Sequence, residues 1–304
     1  MMRIATNQYR DMMSTALQTA TAQMDALNLQ LATGQQYTAP SQDPVATVQL
    51  DRLSRNEADI TQYQSNITTL QNKLSVNESY LNSISNDILS AHDLLVQAAN
   101  GSNNAADESA IASSLQPLMQ SMLYTANSTD AEGHYIFSGT MTNTPAITYN
   151  PAAAIGARYT FTGNANQQLV AVGSGVTQPA NVALPQMATL LNQLDTAQST
   201  LSAPGVNVNT PAVSGLVAAT ITGVETTLGS ISGTIASLGG EQNILSTMNT
   251  NFSDINLTDQ QESVSLGQVN YAATYTQLTG YTTAVQAAQQ AYSQVSKLSL
   301  FNVV

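Results

Sequence analysis

YAATYTQLTGYTTAVQAAQQAYSQVSKLSLF, residues Tyr271 to Phe301, repeats its apolar side chains at intervals of three and four. Tyr271, Leu278, Val285 and Tyr292 fall seven apart, and Thr274, Tyr281, Ala288 and Val295 follow each by three. Leu298 and Phe301, each one residue before the next heptad position, are counted with the same assembly seam. That spacing puts one narrow apolar seam on a helix, which then requires a partner helix. The partner lies at the other end of the chain. Met13, Leu17, Ala20, Met24, Leu27 and Leu31 carry the same spacing. The expectation is that the two termini pair and that everything between them is a long excursion.

Composition narrows what that excursion can be. Of 304 residues, 42% are hydrophobic and only 9% charged, against a usual charged fraction of about a quarter. The polar surface is therefore largely Ser, Thr, Asn and Gln, which suits dense subunit packing and equally a protein outside the cell. The net charge is -12 with seven Lys plus Arg, so no basic patch is present to neutralise phosphates, and nucleic acid is excluded as a partner. The chain has no cysteine, which removes disulfides, thiol catalysis and thiolate zinc sites. Residues 1–20 contain no apolar core of signal-peptide length, and no continuous apolar run reaches a membrane span, so no membrane partner is expected.

Turn chemistry divides the chain. Gly34 stops the first helix as a residue just past a helix end. Asp43 and Pro44 restart it as N-cap and first helical residue. The next helix carries Leu53, Ile60, Ile67, Leu74, Leu81, Ile88 and Leu95 at intervals of seven, interleaved with Tyr63, Leu70, Asn77, Ile84 and Ala91. Asn77 is either a buried polar residue that fixes register or a solvated one near a seam end. Asn100-Gly101 ends this helix. A third helix carries Ile111, Leu115, Leu118, Met122 and Thr125, with a kink or start expected at Pro117. Tyr135 to Gly139 reads as a short strand.

Residues 146–183 read as a small β region, with alternation at Arg158–Phe161 and Gln168–Val172. Tyr149, Tyr159 and Phe161 are its expected core, or alternatively a ligand platform. A short helix from Pro185 to Leu201 follows. A long seam then runs through Val217, Ile221, Val224, Leu228, Ile231, Ile235 and Leu238, bent at Gly239-Gly240 and broken at Asn256 to Asp259. The expected fold is mainly α: a long-helix coiled-coil bundle formed by both termini, with a small β-rich insert. The expected division is 1–33 with 261–304 as a terminal assembly domain, 34–139 with 185–260 as a helix bundle, and 140–184 as the insert.

No catalytic, cofactor or metal constellation accompanies this layout. His92 and His134 stand in unrelated settings, and HExxH, GxSxG and phosphate-loop patterns are absent. Asp107-Glu108 is first-turn charge favoured by the helix dipole.

The ordered motifs resemble the flagellin-related axial proteins of bacteria, and within them the hook-associated branch at the hook–filament junction. The resemblance rests on Met2–Asn7, on Leu31-Ala32-Thr33-Gly34 followed by Pro40–Val45, on Val96–Gly101, on Gly133–Thr140 and on Val295–Phe301. It covers about 1–145 and 212–304. Gln42 in place of an acidic residue and His134 in place of arginine depart from the pattern, and residues 146–184 match nothing in it.

The resemblance implies a non-enzymatic structural protein without cofactor, exported through the flagellar type III apparatus. It would self-assemble as a ring between another hook-associated protein on the hook side and flagellin on the filament side. A cytoplasmic chaperone would hold its C-terminal helix before export. The alternatives are a filament flagellin, and a surface adhesin or glycan-binding protein acting through the β insert.

Overall fold

The computed structural model describes the backbone of residues 2–301 and the side chains of residues 8–294. Among them are six helices and two short hairpins: α1 (Met2–Thr33), α2 (Pro44–Ala98), α3 (Ala105–Ala126), β1 (Ile147–Tyr149), β2 (Tyr159–Phe161), β3 (Leu169–Gly173), β4 (Val176–Pro179), α4 (Pro185–Leu201), α5 (Pro211–Gly267) and α6 (Tyr271–Phe301). The chain forms two compact units, 1–60 with 253–304 and 61–252, where the sequence suggests three.

In the first unit α1 packs along α6. The end of α1 lies beside the start of α6, so the two helices run antiparallel. Gly34 ends α1 at φ 72°, its N–H bonded to Gln30 O at 2.8 Å. The chain after it pairs briefly with the α5–α6 connection: Gln36 N–H donates to Gly267 O (2.7 Å), and Val269 N–H to Gly34 O (3.0 Å). Asp43 Oδ1 accepts from Val45 N–H and Ala46 N–H, capping α2 ahead of Pro44. The Gln42 side chain closes the turn by accepting from Thr38 N–H at 2.8 Å.

The second unit holds the main core. Along α2, Ile67, Leu70, Leu74, Asn77, Leu81, Ile84, Ile88, Ala91 and Leu95 are all buried, following the heptad. Asn77 is 1% exposed, and neither its Nδ2 nor its Oδ1 has a partner. It is a buried polar residue in an aliphatic seam rather than a solvated one. From α5, Val217, Val224, Ile231, Leu238 and Leu245 enter the core. Thr220 and Thr227, buried between them, return their hydroxyls to the carbonyls of Leu216 and Gly223. From α4 come Met187, Leu190, Leu191 and Leu194.

Two expected helix boundaries, at Pro117 and at Asn256–Asp259, do not occur. α3 begins at Ala105 through a reciprocal cap between Asn104 and Asp107 and runs unbroken through Pro117. Pro117 and Ser113, whose carbonyl loses its donor, both face solvent, so the carbonyl is left open to hydration rather than buried. α5 runs through Gly239-Gly240 and through Asn256–Asp259 to Gly267. The glycines are exposed, and Thr258 and Gln260 satisfy themselves one turn back on Asp254 O and Asn256 Oδ1. Gly280 lies inside α6, which is continuous.

Tyr135–Gly139 is not a strand. It is a turn pinned by isolated bridges from Tyr135 to Thr129 and from Ser138 to Ala183, with Gly133 and Gly139 at positive φ. α5 contains an 18-residue window of mean hydropathy 1.2, long and apolar enough by composition to cross a membrane. Its largest side chains follow the seam into the protein core instead.

The hairpins share the helical core. β1 pairs with β2 and β3 with β4, both antiparallel. Ala146, Ile147, Tyr159, Val172 and Ala180 are buried in the same cluster as Leu190 and Leu115. Arg158 and Asp195 pair at 3.2 Å, and Asn192 brackets the Tyr159 backbone, so β2 is fastened to α4. Of the three expected core aromatics, Tyr159 is buried and Phe161 partly so, whereas Tyr149 is 47% exposed and leans on Tyr159 with ring centres 5.0 Å apart.

Candidate assembly surface

The terminal helices bring together most of the residues that the heptads single out. On α1, from residue 8 onward, the positions shielded from solvent are Arg10, Met13, Leu17, Ala20, Met24, Ala26, Leu27, Gln30 and Leu31. Every sequence-derived seam residue of α1 is among them. Only Leu27 is buried; the others are half-covered. On α6, Thr274 is buried, while Leu278, Thr282, Val285, Ala288 and Ala291 are half-covered. Val295, Leu298 and Phe301 lie outside the described side chains.

The three seam tyrosines are placed differently. Tyr271, Tyr281 and Tyr292 are 51%, 37% and 41% exposed. Tyr281 and Tyr292 line grooves beside the pair rather than closing its centre. Tyr281 borders an open groove with Met12, Ala16 and Ala20. Tyr292 borders another with Ser14, Leu17 and Ala22. The Tyr271 hydroxyl reaches the C-terminal end of α1, where a Cβ on Gly34 would lie 2.9 Å from it.

Seam counting missed Ala26, Gln30, Thr282 and Ala291. They sit one residue from heptad positions, and their small or polar side chains give no apolar signal. It also missed a second set of apolar groups exposed on this unit. These are Tyr9, Met12 and Leu29 on α1, Val45 and Val48 on α2, Ile255, Leu257 and Val264 on α5, and Tyr275 on α6. A helix pair whose seam is half-covered and whose outer faces carry tyrosine, methionine and leucine is chemically suited to further helix packing. Among the described residues no group of three or more His, Asp or Glu is placed to hold a metal ion.

Comparison with known proteins gives a consistent answer. Residues 4–142 match the family model described as the bacterial flagellin N-terminal helical region. Flagellar hook-associated protein 3 of Salmonella typhimurium is 27% identical over 315 residues, 99% of each chain. A solved chain described as a flagellar hook-associated protein, from Vibrio parahaemolyticus, is 30% identical, with a TM-score of 0.66 over 75% of this chain and 100% of that one. The flagellar junction protein FlgL from Legionella pneumophila has the same fold, at 15% identity and a TM-score of 0.58 over 71% of this chain and 100% of that one.

Proposed function

This chain belongs to the flagellin-related family of flagellar hook-associated protein 3, structural proteins of the hook–filament junction, and from that premise we propose that its α1–α6 pair is the surface through which it assembles. The observation that carries the proposal is the half-covered seam. Seam residues Met13, Leu17, Met24, Leu31, Leu278 and Val285 remain partly open to solvent after the two helices have paired. Fully burying one such side chain is worth about 1.5–3 kcal/mol, so neighbouring copies have much to gain by covering the remaining faces. Tyr281 and Tyr292, standing at the two flanking grooves, add large contact area.

In this reading, copies pack side by side in a ring through α1 and α6. The hook side of the ring meets another hook-associated protein, and the filament side meets flagellin. Before assembly the protein leaves the cell through the flagellar export apparatus, with a cytoplasmic chaperone on α6. The chaperone occupies the same seam, which blocks premature association. Gly34, Asp43 and Pro44 form the turn from α1 into α2.

The test is a deletion strain of the source bacterium, complemented with wild type or with Leu17→Asp/Leu278→Asp. Deletion should leave complete hooks and release unpolymerised flagellin into the medium. Wild type should restore filaments and the double variant should not, although it is still made. Normal filaments in the deletion strain would defeat the junction role, and full complementation by the double variant would defeat the seam as the assembly surface.

A further inference from the structure

Asn100-Gly101 is the single Asn-Gly pair in the sequence and lies in the exposed turn between α2 and α3. In such a pair the glycine nitrogen can attack the asparagine side-chain carbonyl, because no Cβ obstructs the approach. We infer that Asn100 is a self-modifying site, and that the turn around it promotes the reaction rather than protecting against it.

Three contacts support this. Asn100 Oδ1 accepts two hydrogen bonds from Ser102, from its N–H at 3.2 Å and from its hydroxyl at 2.9 Å. That is where negative charge develops when a nucleophile adds to the side-chain amide, so the two donors stabilise the tetrahedral intermediate. Asn100 C=O accepts from Asn103 N–H at 3.1 Å. This polarises the Asn100–Gly101 peptide and acidifies its own N–H, the proton that must leave. Among the described residues the Gly101 N–H has no acceptor, so its proton is free to leave, while Gly101 O is held by Asn209 Nδ2 at 2.8 Å.

The chemistry balances with water alone. Hydroxide removes the Gly101 amide proton and the nitrogen bonds to Asn100 Cγ, placing the electron pair on Oδ1. Collapse of that oxyanion, with a proton supplied by water to the side-chain nitrogen, expels ammonia, regenerates the hydroxide and leaves a five-membered succinimide. Water then opens either carbonyl, giving aspartate or isoaspartate at position 100. The product adds a negative charge and, in the isoaspartate form, an extra backbone carbon.

The change falls in a turn with a fixed network. Asn103 Nδ2 bridges Gln97 O and Glu108 Oε1, both at 2.9 Å, and Glu108 is fully buried. A lengthened backbone at residue 100 shifts Asn103 and so uncovers the N-terminal turn of α3.

The experiment uses the purified full chain, folded, in mildly alkaline buffer at growth temperature. Peptide mapping by mass spectrometry follows amide-to-acid conversion, and enzymatic methylation of isoaspartate identifies the isomer. Asn100 should convert before any other asparagine. Ser102→Ala, an exposed substitution that preserves the fold, should slow it about three- to tenfold, the range for one lost hydrogen bond. The inference is overturned if Asn100 keeps its amide in the folded chain while converting in urea, or if Ser102→Ala converts as fast as wild type.

Discussion

The hydroxyl of Tyr271 stands over Gly34, close enough that a Cβ on the glycine would come within 2.9 Å of it. This contact joins the end of α1 to the start of α6, and Gly34 holds φ 72° to make it. Gly34→Ala should lower the stability of the terminal unit by about 1–2 kcal/mol, the cost of a left-handed conformation for a residue with a Cβ. The hydroxyl contributes little to that cost, because Tyr271 is half exposed and can swing aside. Gly34→Ala/Tyr271→Phe should therefore be no more stable than Gly34→Ala alone in denaturant unfolding.

The central seam gives a sharper test of register. Leu70 and Ile231 are buried at 2% and 0% exposure. Changing either to alanine should cost about 2–5 kcal/mol. Gln71, one residue along α2 and off the seam, should tolerate alanine within about 0.5 kcal/mol. Equal effects at all three sites would mean that the seam is misplaced.

Asn77 should behave in the opposite sense. Its amide is buried without partners between aliphatic neighbours. An unsatisfied buried polar group costs about 1–3 kcal/mol. Asn77→Leu, which keeps the branching and the number of side-chain heavy atoms, should raise the unfolding free energy by an amount in that range. A loss of stability would show that the amide is hydrogen-bonded in solution.

Tyr159 makes stability depend on alkaline pH. Burial pushes its phenol from 10.0 up to about 12, with the charges of Asp195 and Tyr149 adding to the shift and that of Arg158 opposing it. The folded state therefore holds the proton that the unfolded state releases first. This contribution is intact below pH 10 and is lost as pH rises from 10 through 12. Tyr159→Phe should flatten that part of the pH–stability curve, measured by urea unfolding across the interval.

The insert is tied to the helices energetically as well as spatially. The helical seams do not include residues 146–183, so the sequence suggests that a short Gly-Ser linker could replace them without unfolding the helices. In the structure Ile147, Tyr159, Val172 and Ala180 are buried with the helical core. The linker variant should therefore lose cooperative thermal unfolding. Survival of a single sharp transition would show that the helices close over the gap.

The helical part was legible because period and burial coincide. Heptad counting fails only where chemistry other than periodicity decides. The burial of Ile67 through Leu95 is read off the sequence, whereas the fate of Asn77 is not, since a heptad says where a residue points and not what it meets. Sequence alone overestimates the helix start at Pro117 and the break at Asn256. Propensity penalises these residues, yet each lies within a helix whose seam is buried or half-covered on both sides of it, and that packing outweighs the local penalty. The attachment of β2 to α4 through Arg158, Asp195 and Asn192 was invisible, since it depends on side chains more than thirty residues apart. On the candidate surface, the small seam residues Thr282 and Ala291 carried no signal of their own.

Photo-cross-linking in intact flagella tests the central claim most directly. Benzoylphenylalanine would replace Tyr281 or Tyr292 on the flanks of the α1–α6 pair, with Tyr124, 81% exposed on α3 in the other unit, as comparison. The account predicts that Tyr281 and Tyr292 give abundant adducts between copies of this chain or with its flagellar neighbours. It also predicts that these adducts are absent from the purified monomer. Assembled flagella in which neither position cross-links to another chain, while Tyr124 does, would contradict assembly through the terminal helices.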